Sequence, residues 1–579
     1  MAEVGLRVRR GLGGAGVAGV FAVGFCGGAL PAFGGDTPVP AVATGATDPM
    51  LGAMRSELER ERAGLVLPGM QRPYFIEYRM DDLQSYEAVA NYGALTREES
   101  GHQRVVRVTV RIGTYASDNS GTRGDGNVQL APEDNDPEAL KYALWLATDE
   151  AYKTALRAYT AKQAALKQFE QQRKEQDFAP AKAVTHVEPV RTLDFDQAAR
   201  AEWKRRLVEG SGLYATDAEV RGFSQEVQYS TANLRAVAMN RYLVNTEGTT
   251  LRTGYTGYQA NISVGGQAPD GMRLGRDNGS TAATAAELEN WPAFRARIVA
   301  DLKSFHALTA APVVAADDYH GPVLFSGDAS ADVLNRLFVP NVEADRPDPG
   351  TTARTQGTYT SSLHTRILPE VLSATDDPTR ASFDGRRLLG SYEVDDEGVP
   401  AAAVDVVKAG KLSSYLIGRE PVRDFPESNG HGRAAPGQAA RSHSGVMVFA
   451  PTPGPDGHTL SDAAMNDRLL ALAREQKRDV YAVDTLGGEL FPRVLYLVHP
   501  DGGRELVRGA TFDELDNRSL RSSVVAAGGT PYVANTLGAI PQTTIAPELL
   551  FDDIVVKRAS EEQQKLPYYA PPPAAGAVR

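Results

Sequence analysis

The sequence predicts an α+β fold in which an N-terminal antiparallel sheet with a long helix precedes a β-dominated C-terminal domain. Residues Arg104–Thr114 largely alternate between apolar and polar side chains, as in a strand with one buried face. After Asp136 the apolar residues recur at helical spacing, and from Ser391 onward the patterns are mostly those of strands. The composition, 42% apolar and 23% charged over 579 residues, is that of a globular protein.

The first half of the chain begins with a short helical pattern at Met50–Arg62. Three strand segments follow, and we expect them to form an antiparallel meander with one face in water: Pro73–Met80, Tyr86–Leu95 and Arg104–Thr114. A helix starts next, because Asp136 is a good N-cap and Pro137 suits the first helical position. We expect this helix to run to about Lys174.

The remaining elements follow from local patterns and turn residues. Strands are predicted within Gln225–Val264, with a turn closed by Gly248, and at Gly321–Phe325. Helices are predicted at Ala285–Leu308, Gly327–Phe338 and Ser461–Lys477. Two hairpins are predicted, Val404–Val407 with Leu412–Ile417 and Val494–His499 with Glu505–Arg508, because each pair of segments flanks a glycine-containing turn.

Two domains and two terminal segments are expected. The N-terminal domain takes residues 50–310 and the C-terminal domain residues 311–565, with the boundary at Thr309–Ala315, where small residues and Pro312 interrupt a helix. Residues 566–579 have the composition of a disordered tail. No internal repeat of fixed period is present.

Residues 1–43 have the layout of an export leader. Arg7, Arg9 and Arg10 precede an uncharged run, Gly11–Gly35, and the small residues Ala41–Ala43 offer a cleavage site. Ten of the 25 residues in the run are glycine, which favours a removable leader over a stable membrane span. The sequence therefore predicts an exported protein of the periplasm or cell envelope.

Charge and cysteine content exclude several functional classes. The net charge of −12 argues against nucleic acid as the partner, because phosphate binding needs clustered Lys and Arg. The one cysteine, Cys26, lies in the leader, so a processed chain would have no disulfide and no thiol chemistry.

No familiar catalytic motif is present. None of the nine histidines is followed by Glu, and neither Gly-x-Ser-x-Gly nor Ser-x-x-Lys occurs. We therefore predict no metal ligands, and the catalytic candidates are Asp328, Asp332 and His431. Asp328 and Asp332 share one helix face, either as a carboxylate pair for a cation or proton or as acids stabilised by the helix dipole.

Two further polar segments are candidates for substrate binding. Asp395, Asp396 and Glu397 form an acidic cluster, which could also be a solvated turn. The loop Pro426–Arg433 contributes Asn429, His431 and Arg433, and we expect it to border a substrate chamber. Arg433 could hold a peptide carboxylate, or it could simply pair with a surface acid such as Glu427.

Several of these segments together resemble the TldD/PmbA family of modulator and peptidase proteins. The stretches that carry the resemblance are Asn245–Gly248, Gly321–Phe325, Ser391–Pro400, Lys408–Arg419, Ser428–Arg433 and Ile545–Asp553. The resemblance implies a two-part architecture and action on peptides in a dimer. It also implies that active members carry a zinc-type His-Glu-x-x-x-Asp or His signature on a helix, with a supporting cysteine in the C-terminal region.

The chain departs from the family at those catalytic positions. The helix sequence Ser326–Asp332 has neither histidine nor glutamate, and Ser519–Pro531 has no cysteine. The chain is therefore similar to the metal-free, PmbA (TldE)-type subunit, and the resemblance implies zinc only in a partner.

Three functions remain open. The leading hypothesis is an exported, non-metal subunit that shapes a peptide-binding chamber beside a zinc-bearing, TldD-like subunit or a second copy of itself. The second is a stand-alone hydrolase that uses acids such as Asp328, Asp395, Asp396 or Glu397 with His431 as base. The third is a non-enzymatic binding protein of the cell envelope. Whether the chain is itself an enzyme stays open.

Overall fold

The computed structural model of the protein describes residues 48–121, 126–167, 175–347, 354–452 and 459–559. The predicted leader and tail lie outside the described residues, as does the predicted continuation of the long helix to Lys174. Among the described residues, no helix combines the length and apolar character needed to cross a membrane.

The described residues contain runs of strands separated by helices. The helices are α1 (Pro49–Gly64), α2 (Pro137–Leu166), α3 (Gln197–Thr216), α4 (Trp291–Ala310), α5 (Gly327–Leu337), α6 (Asp462–Gln476) and α7 (Asn517–Ser522). The strands up to residue 282 are β1 (Pro73–Asn91), β2 (Ala94–Thr114), β3 (Ser117–Asp118), β4 (Asn127–Leu130), β5 (Thr185–Val187), β6 (Val227–Asn245), β7 (Thr250–Gln267) and β8 (Arg273–Ala282). The strands from residue 319 to 451 are β9 (Tyr319–Phe325), β10 (Leu372–Asp376), β11 (Ser382–Phe383), β12 (Arg386–Arg387), β13 (Val404–Lys408), β14 (Lys411–Leu412), β15 (Gly432–Arg433), β16 (Arg441–Ser442) and β17 (Val446–Pro451). The last strands are β18 (Val480–Leu486), β19 (Pro492–Val498), β20 (Arg504–Val507), β21 (Ala510–Asp513), β22 (Val524–Thr536) and β23 (Gln542–Arg558).

The first sheet contains β1 to β8 in the order β3-β2-β1-β6-β7-β5, with β4 beside β2 and β8 beside β7. Its pairs are antiparallel except for the parallel contact of β5 with β7. The predicted α+β class, with an N-terminal antiparallel sheet and a long helix, is confirmed.

The first two strands are longer than predicted. Residues 73–91 form one continuous strand, and β1 and β2 are joined by a tight turn at Tyr92 and Gly93, which both have positive φ. The sequence analysis predicted two separate segments here, Pro73–Met80 and Tyr86–Leu95. Asp81 and Asp82, which lie between those segments, are part of the strand and pair with arginines, Asp82 with Arg104 at 2.9 Å.

Helices cover one face of the first sheet. Side chains at even positions of β1, such as Tyr78 and Ala88, pack under the helices, because successive strand residues point to opposite faces. Two hydrophobic clusters lie there, one under α1 and α2 and the other under α3 and α4. The sequence analysis did not predict α3, whose apolar pattern is weakened by Gly210 and Gly212.

The second sheet has 11 strands, in the order β14-β13-β10-β17-β23-β9-β18-β19-β20, with β21 and β22 also paired to β23. Both predicted hairpins are present, as β13–β14 and β19–β20. Helix α5 packs on the face that contains Val323 and Phe325, and α6 packs on the opposite face against Leu324. The predicted division into domains near residue 310 stays a prediction, for limited proteolysis to test.

A chain of buried ion pairs covers part of the other face of the first sheet. Asp81 of β1 lies directly opposite Arg241 of β6, and Arg241 Nε is 2.6 Å from Asp81 Oδ1. Arg241 Nη1 is 2.5 Å from Asp396 Oδ2, and Arg433 Nε is 3.0 Å from the same oxygen. The expectation of a solvated face is therefore wrong here, because residues near 396 and 433 cover it.

Replacing Arg241 with alanine should destabilise the protein strongly. The change leaves Asp81 and Asp396 buried with one partner fewer, and loss of one member of a buried pair costs about 3–5 kcal/mol. Urea unfolding followed by circular dichroism measures the effect. Arg366→Ala is the matched control, because the Arg366–Glu370 pair is exposed and such pairs contribute little. An equal shift of both midpoints would contradict the prediction.

Candidate functional site

The acidic cluster and the loop that precedes β15 come together in the fold. The backbone N–H of Asp396 donates to the carbonyl of Gly432 at 2.8 Å, and Asp395 Oδ2 accepts from the N–H of Gly432 at 2.9 Å. Asp395, Asp396 and Glu397 are 1%, 5% and 8% exposed. The interpretation of this cluster as a solvated turn is therefore wrong, because it lies between the two sheets.

Glu397 is held among backbone groups. Its Oε2 accepts from the N–H of Arg419 at 2.6 Å, and a Cβ at Gly432 would lie only 2.1 Å from the same oxygen, so a side chain at residue 432 would displace this carboxyl. Burial and the neighbouring Asp395 raise the pKa of Glu397 to about 8. Burial also raises the pKa of Asp395 to about 6. Both carboxyls are therefore protonated more readily than ordinary acids.

Arg419 connects this cluster to the N-terminal half. Its guanidinium donates to Glu247 at 2.7 Å and to the carbonyl of Ala179, and it lies over the ring of Phe178 at 4.1 Å. Glu247 belongs to the turn after β6. Because Arg419 is 1% exposed, this contact is part of the buried junction between the sheets.

Arg433 has a buried partner. Its guanidinium binds Asp396 and lies over the ring of Tyr392 at 4.0 Å, whereas the proposed surface partner, Glu427, is exposed. Burial would raise the pKa of Asp396, but Arg241 and Arg433 hold it well below its usual range. The pairing with Glu427 is therefore wrong, and a role for Arg433 in substrate binding stays a prediction.

His431 is fully buried. Its Nε2 is 3.3 Å from Asp376 Oδ1, and its Nδ1 is 3.0 Å from Asn429 Oδ1. Asn429 in turn accepts from the N–H of Ile417 and donates to the carbonyl of Tyr415. These contacts fix the loop in place, so His431 would act as a base only if the surrounding structure opened.

Asp328 and Asp332 lie in a different region, at the start of α5. The helix begins at the N-cap Ser326, whose Oγ accepts from the N–H of Ala329 at 3.2 Å. Burial raises the pKa of Asp328, which is hydrogen-bonded to Tyr532 of β22. The pKa of Asp332 is raised to about 6, chiefly because its carboxyl is partly desolvated and secondarily because Asp328 is close by. Asp328 thus acts on Asp332, as their four-residue spacing predicts.

Several residues of the buried junction were not singled out from the sequence. They include Asp81, Arg241, Asp376 and Arg419. Asp81 and Arg241 carry a usable signal, since each is a charged residue inside a strand pattern. Among the described residues, no group of three or more His, Cys, Asp or Glu side chains is arranged to hold a metal ion.

The raised pKa of Glu397 predicts that the protein loses stability as the pH rises. An acid that binds its proton more tightly in the folded state stabilises the fold below its unfolded pKa, about 4.5, and this stabilisation is lost as the pH rises to about 8. Glu397→Gln, which keeps an acceptor for Arg419, should flatten this part of the profile. Unfolding midpoints measured between pH ~5 and ~9 test this.

The control for this experiment is Glu393→Gln. The Glu393 side chain is 79% exposed, so its substitution should leave the profile as in the wild type. A wild-type stability that is constant or rises over this range would contradict the assignment to Glu397.

The C-terminal part of the chain is similar in sequence to a described protein family. Residues 318–558 match the family described as PmbA/TldA metallopeptidase C-terminal domain. No protein with a curated function matches the sequence.

Three solved structures share the fold over most of the chain. A putative modulator of a DNA gyrase from Thermotoga maritima MSB8 has 14% identity and a TM-score of 0.58, covering 87% of this chain and 99% of its own. TldE from Thermococcus kodakarensis has 14% identity and a TM-score of 0.57, covering 87% of this chain and 100% of its own. A putative modulator of DNA gyrase from Bacteroides thetaiotaomicron VPI-5482 has 11% identity and a TM-score of 0.53, covering 88% and 98%. Residues 318–558 are thus similar in sequence to the C-terminal domain of the PmbA/TldA metallopeptidase family, and the chain shares its fold with these three structures.

Proposed function

We propose that this protein is an exported, non-metal subunit of the TldD/PmbA family that shapes a peptide-binding chamber beside a zinc-bearing homologous subunit. The observation that carries the proposal is the composition of α5. This helix lies inside the matched region, directly after β9, and its polar residues include Asp328 and Asp332 but neither histidine nor glutamate.

The residues present do not fit a family-type zinc site. Such a site needs imidazole or thiolate ligands together with a carboxylate base. Asp328 is hydrogen-bonded to Tyr532, and His431 is enclosed with Asp376 and Asn429 at a different place in the fold.

The surroundings of α5 support a role in binding a peptide. Arg493 of β19 forms an ion pair with Asp277 of β8, so the two sheets meet close to the helix. The same guanidinium counteracts the rise in the pKa of Asp332. Carboxyl, phenol and guanidinium groups at one place supply the donors and acceptors that a peptide backbone requires.

The stand-alone hydrolase is less well supported. Its proposed base, His431, is fully buried, and the acids Asp395, Asp396 and Glu397 bind protein groups. Co-purification from the native envelope distinguishes the hypothesis of a non-enzymatic binding protein from the leading proposal. A zinc-bearing homologue should accompany the tagged chain if the leading proposal holds, and its reproducible absence would favour the binding protein.

Metal analysis of the purified chain should find no stoichiometric, tightly bound zinc. The chain alone should also leave peptides uncleaved, because α5 has neither the histidine nor the glutamate of a zinc signature. Inductively coupled plasma mass spectrometry after dialysis measures the zinc, with a zinc peptidase treated in parallel as the positive control. One zinc ion retained per chain would overturn the non-metal assignment.

A further inference from the structure

The junction between the two sheets contains a polar crevice around Glu77 of β1. Glu77 lies directly opposite Asn245 of β6 on one side and Thr109 of β2 on the other. Glu77 and Thr109 are half-buried, whereas Asn245 is buried, so the crevice is open to solvent on the β2 side. We call this region the Glu77 crevice, and its residues are Glu77, Thr109, Arg111, Asn245, Glu247 and Arg419.

Two guanidinium groups are fixed beside the Glu77 carboxyl. Arg111 and Arg419 both lie over the ring of Phe178, with 3.7 and 4.1 Å between the guanidinium carbon and the ring centre. Burial raises the pKa of Glu77. The charges that counteract the rise are those of Arg79, Arg419 and Arg111, so all three lie near its carboxyl. Stacking on a ring leaves the edge of a guanidinium available for hydrogen bonds.

Several polar atoms of the crevice have no partner. Among the described residues, nothing accepts a hydrogen bond from Arg111 Nε, Arg419 Nη1 or Asn245 Nδ2, and nothing donates one to Glu247 Oε2. The three donor residues are only 6%, 1% and 3% exposed. Asn245 Oδ1, in contrast, accepts from the N–H groups of Glu247 and Thr249. Because a buried donor without an acceptor is costly, a molecule that supplies acceptors here would be bound favourably.

Charges of both signs lie around the crevice. Arg111 pairs with Asp118 at 3.2 Å, and Arg419 pairs with Glu247 at 2.7 Å. Glu77 adds a further carboxyl that faces the guanidinium groups. A simple cation would therefore be repelled by the arginines, and a simple anion by the carboxylates. A molecule that carries both charges can place each of them against its opposite.

We propose that the Glu77 crevice binds a small zwitterion of the α-amino-acid class. Its carboxylate accepts from Arg111 Nε, Arg419 Nη1 and Asn245 Nδ2, and its ammonium donates to Glu77 and Glu247 Oε2. Hydrogen bonds to charged groups are roughly twice as strong as neutral ones, which favours a zwitterion over a neutral molecule. This inference goes beyond the proposed function and does not depend on it, because no residue of α5 lines the crevice.

Equilibrium dialysis of the full chain against radiolabelled glycine tests the proposal. Glycine is the smallest molecule of the class, whereas acetate and methylammonium each carry only one of its two charges. Glycine should bind at a single site on each chain. Acetate and methylammonium should each bind at least about tenfold more weakly, because each forms only one of the two sets of charged hydrogen bonds.

Glu77→Gln gives a second, more specific readout. The substitution removes a carboxylate that attracts an ammonium and repels a carboxylate. Glycine should therefore bind at least about tenfold more weakly than to the wild type, whereas radiolabelled acetate should bind more tightly. Glu99→Gln is the matched control, because the Glu99 side chain is 65% exposed on the same sheet, and it should bind both probes as the wild type does.

Other results would overturn the proposal. If the wild type retains no glycine, the crevice binds water alone. If acetate binds as tightly as glycine, the crevice is an anion site. If Glu77→Gln lowers the melting temperature and changes the binding of both probes in the same direction, Glu77 serves the fold and does not recognise the ammonium.

Discussion

The structure depends on the guanidinium of Arg241, which lies between Asp81 of the first sheet and Asp396 of the segment that precedes β13. Its third contact is a hydrogen bond to the carbonyl of Ala434. All of these groups are buried, so each charge has lost its water and must be compensated by protein atoms. The ion pair therefore favours one register of β1 with β6, because a one-residue shift of either strand would move Asp81 or Arg241 to the helix-covered face.

The ion pairs explain why the acidic cluster is not a surface turn. Asp396 stays ionised between two arginines, whereas Asp395 accepts from three backbone N–H groups, those of Glu397, Val399 and Gly432. Glu397 is placed against Arg419, which reaches Glu247 in the other half of the chain. The pKa of Asp395 is therefore raised and that of the adjacent Asp396 is lowered. The directions differ because the carboxyl of Asp396 faces two arginines and that of Asp395 does not.

Local elements could be predicted from the sequence because their signals are local. Asp136 and Ser461 accept from the first backbone N–H groups of α2 and α6, as N-caps do, and both predicted hairpins form around their glycine-containing turns. The burial of Asp81 and Asp395 could not be predicted in this way. A charged residue is expected to be exposed unless a partner for it can be identified. The partner of Asp81 could not be identified from local sequence, because Arg241 is 160 residues away.

The same limit applies to the candidate site. Asp395, Asp396, Glu397, Asn429, His431 and Arg433 were singled out together, and the fold brings them together. Their burial, however, depends on packing against strands β1 and β6. This packing cannot be inferred from the residues themselves, because they are polar. For α5 the sequence was more informative, since the absence of histidine and glutamate from the helix is a fact of the sequence itself.

The buried ion pairs, with Arg241 at their centre, hold the acidic segment Asp395–Glu397 against the first sheet. A double-mutant cycle on Arg241 and Asp396, with Arg241→Met and Asp396→Leu alone and combined, measures their coupling directly in the free energy of unfolding. The account predicts a favourable coupling of at least about 1.5 kcal/mol, as measured for close charge pairs. Additive effects of the two substitutions, with no coupling, would contradict it.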